Sequence, residues 1–266
     1  MKFKIEEVKF FGGEPLLMKK DIEYIINNIP LKEVDYFITT NATLIDDRFM
    51  DFAKEHDIKL TFSIDGDKNT TSLNRKESGK KEVYDIVLKN TIQYSPFIRI
   101  NMVITSTTAK YMVENFNFLY AHGVRNFNFL PEYWSNWTKE GLKDLALGFK
   151  EILELYSNGK KFSLINIENY QELPFFNLGI IIDTDGKIYG TNHILSGHFG
   201  KHKKELEIGD VFNGLKFDIS DRGFAQQYIK KLDFINHTNY SSSIIRSVEY
   251  IDSILNNFVN NFQNLK

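Results

Sequence analysis

The sequence predicts an α/β protein: a partial parallel βα barrel over residues 1–160 and a smaller mixed region over 161–266. Three observations carry this. Short runs of β-branched and aromatic residues alternate with amphipathic stretches as far as residue 134. Strands spaced by helices imply βαβ units, because parallel neighbours need a long crossover, and that crossover is right-handed. No Gly-rich dinucleotide fingerprint follows any of these strands, which favours an open or partial barrel over a doubly wound nucleotide fold. Past residue 178, Thr184-Asp185-Gly186 lies between two short apolar runs and reads as a hairpin turn.

In chain order, residues 8–11 read as a strand, and 18–29 as a helix with apolar Ile22, Tyr24, Ile25, Ile26 and Ile29. Residues 35–39 form the next strand, 46–56 a helix, 58–64 a strand and 80–94 a helix. A strand over 97–104 precedes a helix over 110–122 that Gly123 ends. Residues 125–130 are a strand, and 140–158 a helix ended by Gly159. In the second region, 180–183 and 187–189 flank the hairpin turn, 207–212 extends, and 224–232 is helical. A final amphipathic helix spans 242–262, with Ile244, Ile245, Val248, Ile251, Ile254, Leu255, Phe258 and Phe262 near helical spacing.

Composition narrows the function. Hydrophobic content of 42% with 26% charge is that of a globular protein, not a disordered one. A net charge of −2 provides no field for nucleic acid or anionic membrane. No apolar run is long enough for a membrane span, and the first residues lack the apolar core of a secretory signal, so a cytoplasmic protein is expected. The count of cysteine is 0. That excludes disulfides, thiolate nucleophiles, cysteine-ligated zinc and cysteine-held iron–sulfur clusters in this chain.

Four motifs stand at strand ends. Gly12-Gly13-Glu14-Pro15 follows the first strand and opens a helix; alone it is a tight turn, with glycines for positive φ and a carboxylate at a helix N-terminus. Thr39-Thr40-Asn41-Ala42-Thr43 ends the next strand, and Ser63-Ile64-Asp65-Gly66 the one after. Arg75 and Gly79 precede the helix that contains Val83-Tyr84-Asp85-Ile86-Val87.

This ordered series resembles radical SAM enzymes of the SPASM peptide-maturase group, in which successive strand ends carry GGEP, TNG and SxDG, then an arginine and a glycine. The resemblance covers about residues 7–135 well. Carried over by position, it implies that Gly12, Gly13 and Glu14 lie where the family meets the amino group of S-adenosylmethionine. Asn41 and Ser63 then line the same pocket, with Arg75 just beyond. Ala42 departs from the family's glycine, which touches close backbone approach there. The likeness continues more weakly through Ile181–Tyr189 and Ile208-Gly209-Asp210-Val211, similar to the entry of a SPASM domain. There a cysteine follows the hairpin's aromatic residue, whereas this chain has Gly190-Thr191, and Asn236–Ser243 stand in place of the later cysteine-rich stretch.

The family's CxxxCxxC loop follows a first strand well before GGEP; here 11 residues precede Gly12, so the resemblance implies a barrel that begins at its second strand. A parallel edge exposed in this way invites another chain or segment to cover it. No iron–sulfur cluster is expected, and S-adenosylmethionine without its cluster chelate is expected to bind weakly. Three functional readings follow. The first is a non-catalytic pseudo-enzyme that binds a ribosomally made precursor peptide or an active radical SAM partner. The second is the C-terminal part of a longer active maturase. The third is a barrel reassigned to cluster-independent binding of S-adenosylmethionine or another small ligand. Fold alone does not choose among them.

Two further stretches carry paired readings. Phe127–Trp134 is either a wall for a substrate peptide or ordinary strand and rim packing. His193, His198 and His202 are metal ligands, part of a solvated Gly/Lys-rich loop, or a peptide contact, and no metal ligand is assigned. Glu14 and Asp65 form no recognisable acid/base pair, and Asp65-Gly66 reads most simply as a turn.

Overall fold

The computed structural model describes residues 5–29, 33–75, 81–168, 180–191, 194, 199–216 and 222–265. The chain divides into two compact units: residues 1–133, 137–169 and 253–266 form the first, and 134–136 with 170–252 the second.

The first unit is α/β. Strands β1 (Glu7–Phe10), β2 (Asp35–Thr40), β3 (Lys59–Ser63), β4 (Ile98–Ile104), β5 (Asn126–Pro131) and β6 (Ser163–Leu164) form one six-stranded sheet in sequential order. All its pairings are parallel, and β1 and β6 are its two edges, so the sheet is open rather than closed. The crossovers carry α1 (Lys19–Asn28), α2 (Asp47–Glu55), α3 (Lys68–Asn74), α4 (Lys81–Tyr94), α5 (Met112–Ala121) and α6 (Lys139–Ser157). A short α7 (Ile165–Glu168) follows β6.

Burial alternates residue by residue along β2, β3, β4 and β5. One face is sealed: Ile38, Leu60, Phe62, Ile100, Met102, Phe127 and Phe129 are buried, as are Phe49, Met50, Phe116, Leu145 and Phe149 on the helices. Phe116 meets Phe127 at 4.7 Å between ring centroids, and Phe129 meets Phe149 at 5.8 Å. Each such side chain contributes about 1.5–3 kcal/mol by burial, which is why the helices stay on this face. The opposite face is half-buried and mostly polar, with Phe37, Thr39, Lys59, Thr61, Ser63, Arg99, Asn101 and Asn128. Parallel sheets are usually apolar on both faces. This one carries polar side chains on one of its faces.

Side-chain caps fix where helices begin. Asp46 accepts from Phe49 N–H at 2.8 Å, Asp67 from Thr70 N–H at 2.8 Å, and Thr138 from Gly141 N–H at 3.0 Å. Such caps are worth about 1 kcal/mol each.

The second unit holds a four-stranded antiparallel sheet, order β10-β9-β8-β7, from β7 (Ile181–Ile182), β8 (Lys187–Tyr189), β9 (Glu207–Asp210) and β10 (Gly214–Leu215). The Thr184-Asp185-Gly186 turn links β7 to β8 as read, with Gly186 at φ 77°. Helix α8 (Lys203–Leu206) leads into β9, and α9 (Arg222–Asn239) supplies Tyr228, Leu232 and Ile235 to the core. The last helix, α10, spans Ser242–Leu265.

The sequence reading assigned no element to α3, β6, α7, α8 or β10, and the helix expected over 224–232 runs from Arg222 to Asn239. His193 and His198 lie outside the described residues.

Candidate functional site

The first motif is a turn held by its own glutamate. Gly12 and Gly13 sit at φ 95° and 54°, and a Cβ at either would meet nothing within 4 Å. The requirement there is conformational, and the space beside both backbones is open. Glu14 Oε1 accepts the Leu16 N–H at 3.0 Å, capping the short helical turn Pro15–Met18. The same oxygen accepts the Thr40 hydroxyl at 2.6 Å, and Oε2 accepts the Asn41 N–H at 2.8 Å. One carboxylate therefore ties the turn after β1 to the end of β2.

At that end, Thr40 Oγ1 accepts from Ala42 N–H at 3.0 Å, and Asn41 Oδ1 accepts from the Thr43 N–H and hydroxyl at 2.9 and 2.6 Å. Ala42 lies at φ 62°, so it keeps the left-handed backbone for which a glycine is the natural choice. Asn90 Nδ2 donates to Ala42 O at 2.8 Å and holds the turn in place. Ser63 ends β3 in register with Asn101 of β4, and Asn128 Nδ2 of β5 donates to Asn101 Oδ1 at 2.8 Å. Glu14, Asn41 and Ser63 thus stand at the C-terminal ends of adjacent strands.

Arg75 is engaged differently. Its Nε and Nη2 each donate at 2.8 Å to the two oxygens of Asp65, whose side chain has 0% exposure. Val103 N–H adds a third bond to Asp65 Oδ1 at 2.9 Å. Asp65-Gly66 is more than a turn: it anchors a buried ion pair between β3 and the end of α3. Gly66, at φ 135°, faces Asn115, where a Cβ would come within 2.1 Å of the side-chain oxygen. Asn115 in turn accepts from Asp67 N–H and donates to Thr70 Oγ1, both at 2.9 Å. Tyr84 donates its hydroxyl to Gly66 O at 3.0 Å. Burial, then the charges of Asp67 and Asp85, push that hydroxyl far above its usual range, so it stays a donor.

Thr40, Asn101, Asn115 and Asn128 were not singled out in the sequence. Thr40 stands inside the quoted motif beside Asn41, which is the signal that could have found it. A mid-helix Asn115 offers none.

In the second unit, the place where the resemblance puts a cysteine is filled. Tyr228 accepts the Gly190 N–H at 3.2 Å and donates to Leu206 O at 3.0 Å. A Cβ on Gly190 would lie 3.1 Å from the Tyr228 ring, and Thr191 is buried. Burial pushes the Tyr228 hydroxyl up to about 12. His202 faces Glu205 at 3.2 Å and Asn239 at 3.3 Å. Among the described residues no group of three or more His, Cys, Asp or Glu is placed to hold a metal. With a cysteine count of 0, the donor set does not fit an iron–sulfur cluster.

No family model matches the sequence. An uncharacterized protein of Methanocaldococcus jannaschii is 33% identical over 129 residues, 46% of this chain and 45% of the relative. The radical SAM cyclopropyl synthase TigE of Paramaledivibacter caminithermalis is 24% identical over 183 residues, 64% of this chain and 36% of the enzyme. A cysteine-type anaerobic sulfatase-maturating enzyme of Clostridium novyi is 27% identical over 134 residues, 46% of this chain and 35% of the enzyme. The matches thus span less than half the length of these relatives. Among solved structures, native anSMEcpe with bound AdoMet and Cp18Cys peptide superposes with a TM-score of 0.74 at 16% identity, covering 99% of this chain and 87% of that one. Over part of their length this cysteine-free chain is similar in sequence to radical SAM maturases, and its fold is that of the sulfatase-maturase structure.

Proposed function

We propose that the chain is a non-catalytic member of this group, a pseudo-enzyme that binds a precursor peptide or an active radical SAM partner in ribosomal peptide modification. The observation that supports this is the pairing of the family's strand-end residue types with a chain that holds no cysteine. Glu14, Thr40 and Asn41 keep a connected polar corner, yet the chain supplies no thiolate. A structural neighbour carries AdoMet and a peptide together, which is why a peptide is the ligand class we favour.

S-adenosylmethionine, when bound in such proteins with a cluster, supplies a radical. Here the residues that would meet it are Gly12, Gly13, Glu14, Asn41, Ser63 and Arg75. Of these, the glycine turn leaves open space, and Asn41 Oδ1 is taken up by Thr43, so its amide nitrogen is the end left for a ligand. Glu14 spends three of its roughly four acceptor sites on Leu16, Thr40 and Asn41. Arg75 is committed to Asp65. This set orients a small ligand only weakly.

Anaerobic reconstitution with iron and sulfide should leave no charge-transfer band near ~400 nm. Calorimetric titration should give weak S-adenosylmethionine binding at most. A reconstituted centre that cleaves S-adenosylmethionine reductively would overturn the proposal. Tight stoichiometric binding without metal would favour the reading of a cluster-independent ligand site. One observation favours the fragment reading: the relatives extend well beyond the matched stretch. An in-frame CxxxCxxC upstream of Met1 would establish it.

A further inference from the structure

A second site lies at the opposite ends of the strands. A cavity of about 430 Å³ opens where β3, β4, β5 and β6 begin, and its lining includes Lys54, Asp57, Lys59, Arg99, Asn126 and Ser163. Its size falls within the ~300–1,000 Å³ range of small-ligand sites. The cations outnumber the acids. Lys54 extends from the last turn of α2 with its Nζ 4.3 Å from the Phe97 ring centroid, which fixes it at the rim. Arg99 holds its guanidinium 5.7 Å from the Phe37 ring on the polar face. Lys59 pairs with Asp57 at 2.6 Å, but Asp57 is 83% exposed and Lys59 only 30%, so the carboxylate is the mobile partner. Lys54 also has Asp51 at 3.9 Å. The carboxyl end of α2 would disfavour an anion, yet the Phe52 and Ala53 carbonyls are already taken by the His56 and Ile58 N–H groups.

We infer that this cavity binds a compact oxyanion, a phosphate or carboxylate group held between Lys59 and Arg99 with Lys54 at the rim, the ligand displacing Asp57 from Lys59. Asn126, whose Nδ2 already donates to Ile98 O at 3.2 Å, and Ser163 lie on the same wall. The site is independent of Glu14 and Asn41, which stand at the other ends of the strands.

The test is titration of the full chain with inorganic phosphate, and separately with N-acetyl-Asp-Asp amide, at low ionic strength by calorimetry. Saturable binding of either probe is expected, weakening as salt screens the exposed cations. Lys59→Gln and Arg99→Gln should each raise Kd about tenfold. Arg99→Lys should restore part of the loss, and Lys150→Gln, on the exposed side of α6, should change nothing. Far-UV circular dichroism checks that each variant is folded. Phosphate alone binding would assign a phosphorylated small molecule, and the peptide alone an acidic peptide segment; both outcomes support the site. Saturable binding of neither probe, or a Kd unaltered by both cavity variants, would overturn it.

Discussion

The two units treat the positions of the resemblance differently. In the first, the strand ends stay polar and interlocked, with one carboxylate bridging β1 to β2 and one ion pair bridging β3 to α3. In the second, the position that resembles a cysteine site is closed by a phenol and surrounded by Ile188, Tyr189, Leu206 and Ile208. The hydrogen-bonded corner in the first unit is held because backbone N–H groups at the strand ends need partners. The Gly190 position is instead packed by the Tyr228 ring, since voids cost contact energy.

The sharpest challenge to this contrast is Arg75→Ala. It leaves Asp65 buried with only Val103 N–H as partner, and should lower unfolding free energy by about 3–5 kcal/mol in urea titration. Replacing Asp65 and Arg75 together by alanine should cost less than Arg75→Ala alone. If the single variant is harmless, the strand ends are not held as described. Tyr228→Phe comes next, at about 1–3 kcal/mol, because it strands the Gly190 N–H and the Leu206 carbonyl. Hydrogen exchange should quicken in β8 and stay unchanged in β4; equal loss in both would erase the distinction between the units. The smallest effect concerns Asp183, whose carboxyl is held below the usual range, first by the Lys203 hydrogen bond and then by the Thr184 N–H. A depressed folded value means the contribution is complete above about pH 4 and fades as acid carries the group through its folded value. Asp183→Asn should therefore cost under ~1 kcal/mol at neutral pH and nothing in strong acid, read from unfolding midpoints across pH.

Most of the first unit was legible, because apolar periodicity and glycine stops mark βα units clearly. What escaped had physical reasons. Helix α3 reads Lys-Asn-Thr-Thr-Ser-Leu-Asn, residues that favour turns over helix, and it forms because Asp67 caps it and Asn115 ties its start. With that helix unseen, the pairing of Asp65 with Arg75 was also unseen, since the helix is what brings them together. Helix α9 outruns its reading for the same reason: Asn236-His237-Thr238-Asn239 has low propensity, while Ile235 is buried on the face that continues into it. The motif positions were plain in the sequence; their partners, Thr40 and Asn115, lie on other elements and become visible only when the strands are set side by side.

The phenol at Tyr228 has a practical consequence. A sheet closed by tyrosine and aliphatic carbon needs neither iron supply nor reductant to stay assembled, and oxygen has no sulfur there to attack.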